Sequence, residues 1–312
     1  MLNRFCASKK WVVYLCLGLT SLAWGWSWVG IRAAVHFYSP GQLALGRYSM
    51  AAIVLFPVWA WQGAHWPAIK HWGILAVMGV TGFSMYNFLL NHGEQTVPAG
   101  TTALIGAFLP ILIALGARFF FDEKLTFIGW LGVLLAFVGV AVTAMGAHGG
   151  ASLHFSKGAL FILAAMINGA IYGLLMKRML RHYSPIEITT WSIWFGVIAL
   201  APLGNGLGTA LATVPHLATL NMILLGVFPG AIAYLLYAYA ATKLPMAQVV
   251  SCMFILPFLA IIFGWFLLGE LPSLVAFLGG IVTLFGAYLV NVKGKIIPPH
   301  PQTQSASAVP VE

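Results

Sequence analysis

The chain has 312 residues, of which 61% are hydrophobic and 7% charged, with a formal net charge of +9. Ordinary soluble domains carry roughly 25% charged residues, so a water-soluble fold of this length could not cover its surface, and the chain reads as an integral membrane protein. The basic residues are scattered among loops rather than gathered in a patch, which excludes a nucleic-acid surface. Cys6, Cys16 and Cys252 have neither disulfide nor metal-ligand spacing.

A membrane span needs roughly 20 apolar residues. Five stretches in the first half approach that length: Trp11–Ala33, Leu43–Trp61, Trp72–Leu90, Ala99–Phe121 and Phe127–Ala147. Five more follow: Gly158–Met179, Ile186–Leu203, Leu220–Ala241, Ala247–Leu268 and Leu274–Val292. Ser39-Pro40-Gly41, Val97-Pro98, Ser184-Pro185, Leu244-Pro245 and Leu271-Pro272 are among the breakers between them. The first stretch follows Lys9-Lys10 but has the length of a full span, so it is a retained helix rather than a signal peptide. The end of the chain, from Pro298, is rich in Pro, Ser and Gln and is expected to be disordered.

Positive charge sets the expected direction. With both termini cytoplasmic, the inner side receives Arg4, Lys9, Lys10, Lys70, Arg118, Lys124, Lys177, Arg178, Arg181, Lys243, Lys293 and Lys295, whereas the outer side receives Arg32 and Lys157. The expected organisation is a cytoplasmic amino terminus (1–10), a first unit (11–147), a periplasmic linker (148–157), a second unit (158–292) and a cytoplasmic tail (293–312).

The two units repeat. Pro98, Pro110, Glu123, Gly132 and Gly139 recur 147 positions later as Pro245, Pro257, Glu270, Gly279 and Gly286. Tyr38-Ser39-Pro40 and Pro57 recur 145 later, and Trp24-Gly25 has a looser echo 148 later in Tyr172-Gly173. Five spans per unit force the second copy to cross the bilayer the opposite way. The predicted fold is therefore all-α, with ten transmembrane helices in two inverted five-helix repeats. Such repeats place a binding site at their interface near the midplane and permit alternating access.

Each half carries a Pro-opened helix with a central Pro, a Glu beyond it and a Gly-spaced final helix. Together with Ala23-Trp24-Gly25, this pattern resembles the drug/metabolite transporter superfamily, EamA type, from about Trp11 to Val292. The resemblance implies a carrier of small metabolites, often amino acids, in a bacterial inner membrane. One departure is Asp122, where the second copy has Gly269.

The repeat also selects helix faces. Asn87, Asn91 and Glu94 share one stripe of the third helix, and the repeat partners of the first two are Tyr234 and Ala238, with Tyr237 beside them. Buried amides and carboxylates are costly against lipid, so this stripe should face a cavity or another helix. Thr20 and Trp24 on the first helix, with Trp28 one turn beyond, answer to Asn168 and Tyr172 on the sixth. Thr101 on the fourth answers to Gln248 on the ninth, with Ser251 one turn on. Trp24, Trp28, Asn87, Asn91, Thr101, Asn168, Tyr172, Tyr234, Tyr237, Gln248 and Ser251 are the candidate substrate contacts, around a cavity lined by the first, third, fourth, sixth, eighth and ninth helices. Asn87 and Asn168 have the alternative role of hydrogen-bonding neighbouring helices.

Glu94, His92 and Arg47 are candidates for coupling or gating. For Arg47, whose repeat counterpart is the neutral Ser192, snorkelling to the outer headgroups is the simpler account and an anion contact the other. Pro110 and Pro257 bend their helices and are candidate hinges. Glu123 and Glu270 are expected to hold the start of the following helix. The Gly/Ala stripes of the fifth and tenth helices suit close packing, within one chain or in a homodimer. No cofactor or metal site is expected. The partners are a small-molecule substrate and the lipid bilayer.

The leading expectation is a secondary transporter of an amino acid or related zwitterion, with export favoured. The same fold carrying a nucleotide-like or lipid-linked sugar substrate is the alternative. A membrane-embedded lipid-modifying enzyme is disfavoured, because Asp122 is the only aspartate and no His/Asp/Glu cluster occurs in the sequence.

Overall fold

The structure is a computed structural model that describes residues 10–61, 63, 65–120, 125–146, 156–241, 243 and 252–293. Ten apolar helices run through these residues. Seven are long and apolar enough to cross a membrane: α1 (Trp11–Ala34), α2 (Pro40–Trp61), α3 (Ile69–Glu94), α4 (Ala99–Phe120), α5 (Phe127–Met145), α6 (Lys157–Met179) and α8 (His216–Ala240). Three are shorter: α7 (Pro185–Leu200), α9 (Met253–Leu268) and α10 (Leu274–Tyr288). A π turn at Leu289–Lys293 extends α10.

Local chemistry sets several boundaries. Ser184 caps α7 in a reciprocal box with Glu187. Thr126 and Ser273, which are 147 apart, cap α5 and α10 through the amides of Gly129 and Ala276. Helix α7 ends at Leu200, short of the expected Leu203, because Pro202 cannot continue it. A short helix at Leu207–Thr213 was not anticipated.

Packing displays the repeat. Helix α1 lies on α8 and α9, as α6 lies on α3 and α4; α2 lies on α8, as α7 lies on α3. The equivalent pairs α5 and α10, α4 and α9, and α2 and α7 also touch each other. Apolar side chains such as Ile53, Phe119, Leu134, Phe266 and Leu278 point outward, as a lipid-facing surface requires.

The α5–α10 seam shows the direction of the symmetry. A Cβ on Gly139 would strike the Thr283 amide nitrogen, and one on Gly279 would lie 2.6 Å from that of Thr143. Shifted by the repeat offset, those contacts become Gly286 with Ala136, at 2.6 Å, and Gly132 with Val290, at 2.9 Å. Residue numbers ascend on one helix as they descend on the other, so equivalent helices run antiparallel. The axis relating them is perpendicular to the helices and lies in the membrane plane. The small-residue faces of α5 and α10 are thereby packed on each other within the chain.

A second matched approach joins α3 to α7 and α2 to α8. A Cβ on Gly79 would lie 2.7 Å from the Ser192 carbonyl oxygen, while one on Gly226 would strike that of Arg47. Both α3 and α8 also carry a π turn, at Val80–Ser84 and Phe228–Ile232, close to these glycines.

Candidate functional site

Helices α4 and α9 are both interrupted at the same place in the repeat. The first half of α4 stops at Gly106, and the second half resumes at Leu109. In α9 a tight 3-10 turn at Cys252–Ile255 gives way to an α-helix at Leu256. Pro110 has no N–H to offer the Gly106 carbonyl, and Pro257 has none for Met253. All four of these residues border one central cavity.

That cavity has roughly 160 Å³ for the centres of water-sized molecules, well above the 10–15 Å³ or so that one water requires. Its wall is drawn from both repeats. Asn87 and Tyr234, repeat partners, both reach it, as do Trp24, Trp28 and Arg47. The Trp24 indole N–H donates to the Pro229 carbonyl at 3.1 Å, which fixes α1 against the π turn of α8. The Trp24 ring lies 5.3 Å from that of Tyr234 and 5.2 Å from that of Tyr237, so aromatic contacts hold this wall together.

Other candidates lie elsewhere. Asn91 is fully buried and donates to the Pro40 carbonyl at 2.9 Å, joining α3 to α2. Asn168 donates to the Ala164 carbonyl on its own helix. Tyr172 packs edge-on to Phe83. Thr101 is buried outside the cavity wall, and Tyr237 packs against Trp24 behind it. His92 is bonded to the Phe88 carbonyl and lies against the rings of Phe88 and Phe161. Gln248, Ser251 and Glu123 lie outside the described residues.

Arg47 is 4% exposed. It does not snorkel to the headgroups; it borders the cavity. Its Nη1 reaches the Asn87 Oδ1 at 3.5 Å, its Nε has no partner, and its guanidinium carbon stands 5.5 Å from the Tyr48 ring. A buried arginine within a membrane span is costly, up to roughly 2.5–3.5 kcal/mol at a helix centre on insertion scales, so this placement is expensive unless the site uses it.

Glu270 does not hold the start of α10; Ser273 does that. The Glu270 carboxylate instead pairs with Arg32 at 3.0 Å. Arg32 also donates to the backbone carbonyls of Glu94 and Gln95. One guanidinium therefore ties the ends of α1, α3 and α9 together, opposite the start of α1. Glu94 beside it is fully buried, and neither carboxylate oxygen has a hydrogen-bond partner.

Sequence reasoning passed over Tyr48 and Tyr86, which also border the cavity. Their repeat counterparts are Ile193 and Ala233. A comparison that looks for like residues in both copies is blind to groups contributed by one copy. The usable signal was adjacency, since each stands next to a flagged polar residue.

Fold and cavity together define a multi-pass membrane protein of the inverted-repeat class. The chain matches the EamA-like transporter family over residues 10–145 and 156–292. It is 34% identical to the uncharacterized transporter YdfC of Bacillus subtilis, over 89% of this chain and 91% of that protein. It is 31% identical to a probable terminal-alkyne amino-acid exporter of Streptantibioticus cattleyicolor, over 88% of this chain and 92% of that protein. A crystal structure at 20% identity superposes with a TM-score of 0.60, covering 89% of this chain and 95% of that one, and shows the likeness of fold. The chain belongs to the EamA-like transporter family and is a membrane transporter.

Proposed function

We propose that this protein exports an amino acid or a related zwitterion across a bacterial inner membrane by alternating access, with both termini in the cytoplasm. The observation that carries the reading is the central cavity at the two matched helix breaks, walled by both repeats. Inverted-repeat carriers bind solute at such a place, where unwound backbone faces the site. Aromatic rings and an amide suit a small amphipathic solute, and a relative of similar length is named as an amino-acid exporter.

The breaks at Pro110 and Pro257 act as paired hinges. The Arg32–Glu270 pair closes the side away from the termini and must part when that side opens. The test is counterflow in liposomes holding the purified full-length protein. Vesicles loaded with unlabelled L-amino acids, propargylglycine included, should accumulate the labelled form of at least one of them. Accumulation no faster than in protein-free vesicles for every amino acid would refute the reading.

A further inference from the structure

Two residues that border the cavity carry buried hydrogen-bond donors without acceptors. Arg47 is 4% exposed and Trp28 9%, both border the cavity, and neither the Arg47 Nε nor the Trp28 Nε1 has an acceptor. The Asn87 Oδ1, at 3.5 Å from the Arg47 Nη1, is at the limit of a hydrogen bond. Among the described residues no carboxylate lies within 4.0 Å of Arg47. Neither carboxylate oxygen of the buried Glu94 has a hydrogen-bond partner. A desolvated guanidinium without a carboxylate is a site for one, because its planar fork matches two carboxylate oxygens. Among the described residues that border the cavity Arg47 is the one cation, which suits a monoanionic carboxylate better than a phosphate dianion.

The other pole is backbone. Gly106 and Met253 border the same space, and the prolines four residues on deprive each carbonyl of its usual α-helical amide donor. Gly106 also ends the half-helix Ala99–Gly106, whose carbonyl end carries partial negative charge. An ammonium group is favoured there. The pole at Arg47 is not duplicated, because its counterpart Ser192 is buried away from the cavity. A solute with two different ends is therefore held one way round.

We propose that Arg47, assisted by the Trp28 indole N–H, binds the carboxylate of the transported solute, so that a free carboxylate is a requirement for transport. This rests on the proposed amino-acid reading for the identity of the solute but is separable from it. The experiment uses full-length protein in liposomes and three labelled families: amino acids such as phenylalanine and propargylglycine, plain carboxylates such as 3-phenylpropanoate, and carboxyl-blocked or carboxyl-free compounds such as phenylalanine methyl ester and phenethylamine. Carrier-dependent movement is taken as the rate above that of protein-free vesicles. The expected result is movement of one or more amino acids and at least a tenfold lower carrier-dependent rate for the corresponding ester and amine. Arg47→Gln should abolish that preference, Arg47→Lys should retain part of it, and Trp28→Phe should raise KM severalfold with little change in maximal rate. If only plain carboxylates move, the carboxylate site stands and the amino-acid reading falls. If esters or amines move as well as free acids, or if no carboxylate in the panel moves, the site assignment is overturned. The comparison of solutes needs no variant, so a poorly folding Arg47→Gln does not spare the proposal.

Discussion

The two repeats meet along two seams that obey the same symmetry and have opposite character. Along α5 and α10, glycines at 132, 139, 279 and 286 bring backbone against backbone. Around α4 and α9 the equivalent helices are broken at their prolines, and Trp24, Trp28, Tyr234 and Arg47 keep the walls apart. Small side chains let one seam close without voids, which in a membrane is the main route to helix association. Bulky rings, a charge and absent backbone donors hold the other open. A carrier needs both, a fixed seam to pivot about and a hollow one to change sides.

Substitutions should separate these roles. The largest loss of stability is expected for Gly279→Leu, because the Thr143 backbone at 2.6 Å cannot yield; overpacking of this kind costs about 3 kcal/mol or more. Size-exclusion profiles and thermal unfolding in detergent should show little monodisperse protein. Normal behaviour of this variant would mean that the seam is not rigid. Pro257→Ala should do the reverse, restoring a backbone donor and raising the melting temperature while transport falls by roughly tenfold, as expected if a helix break is needed for movement. A variant that is more stable and equally fast would separate the break from transport.

Smaller effects follow at the cavity wall and its closure. Trp24→Phe keeps a ring but removes the bond to the Pro229 carbonyl. A loss of about 1 kcal/mol there corresponds to roughly a fivefold weaker apparent affinity, read as KM in counterflow. Arg32→Gln removes the Glu270 ion pair at the end of α1, costing about 1 kcal/mol since the pair is partly exposed. It should also speed maleimide labelling of a Leu90→Cys probe in a background free of Cys6, Cys16 and Cys252. An unchanged labelling rate would show that this pair does not close the cavity.

Much of the architecture was legible in the chain because prolines, glycines and capping hydroxyls act on the segment that contains them. Pro110 and Pro257 marked the broken helices, and the offset of 147 marked the equivalence of the halves. The eighth helix and the third were placed on one cavity through Asn87 and Tyr234, where both copies contribute. The repeat was a poor guide where the copies differ. Trp24 faces the cavity while its echo Tyr172 packs on Phe83. Asn91 and Asn168 satisfy backbone carbonyls instead of lining the hollow.

Hydropathy, charge asymmetry and the internal offset were enough to establish a ten-helix inverted-repeat membrane protein, since each depends on short stretches read one at a time. Where the side chains of Arg47 and Glu270 sit was decided by contacts across the fold. Trp24 meets Pro229 205 positions away, and Arg32 meets Glu270 238 positions away. Composition says that a polar group in a span must find a partner or a cavity, but which of the two it finds depends on the helix that arrives opposite. That is settled by the packing of all ten helices at once.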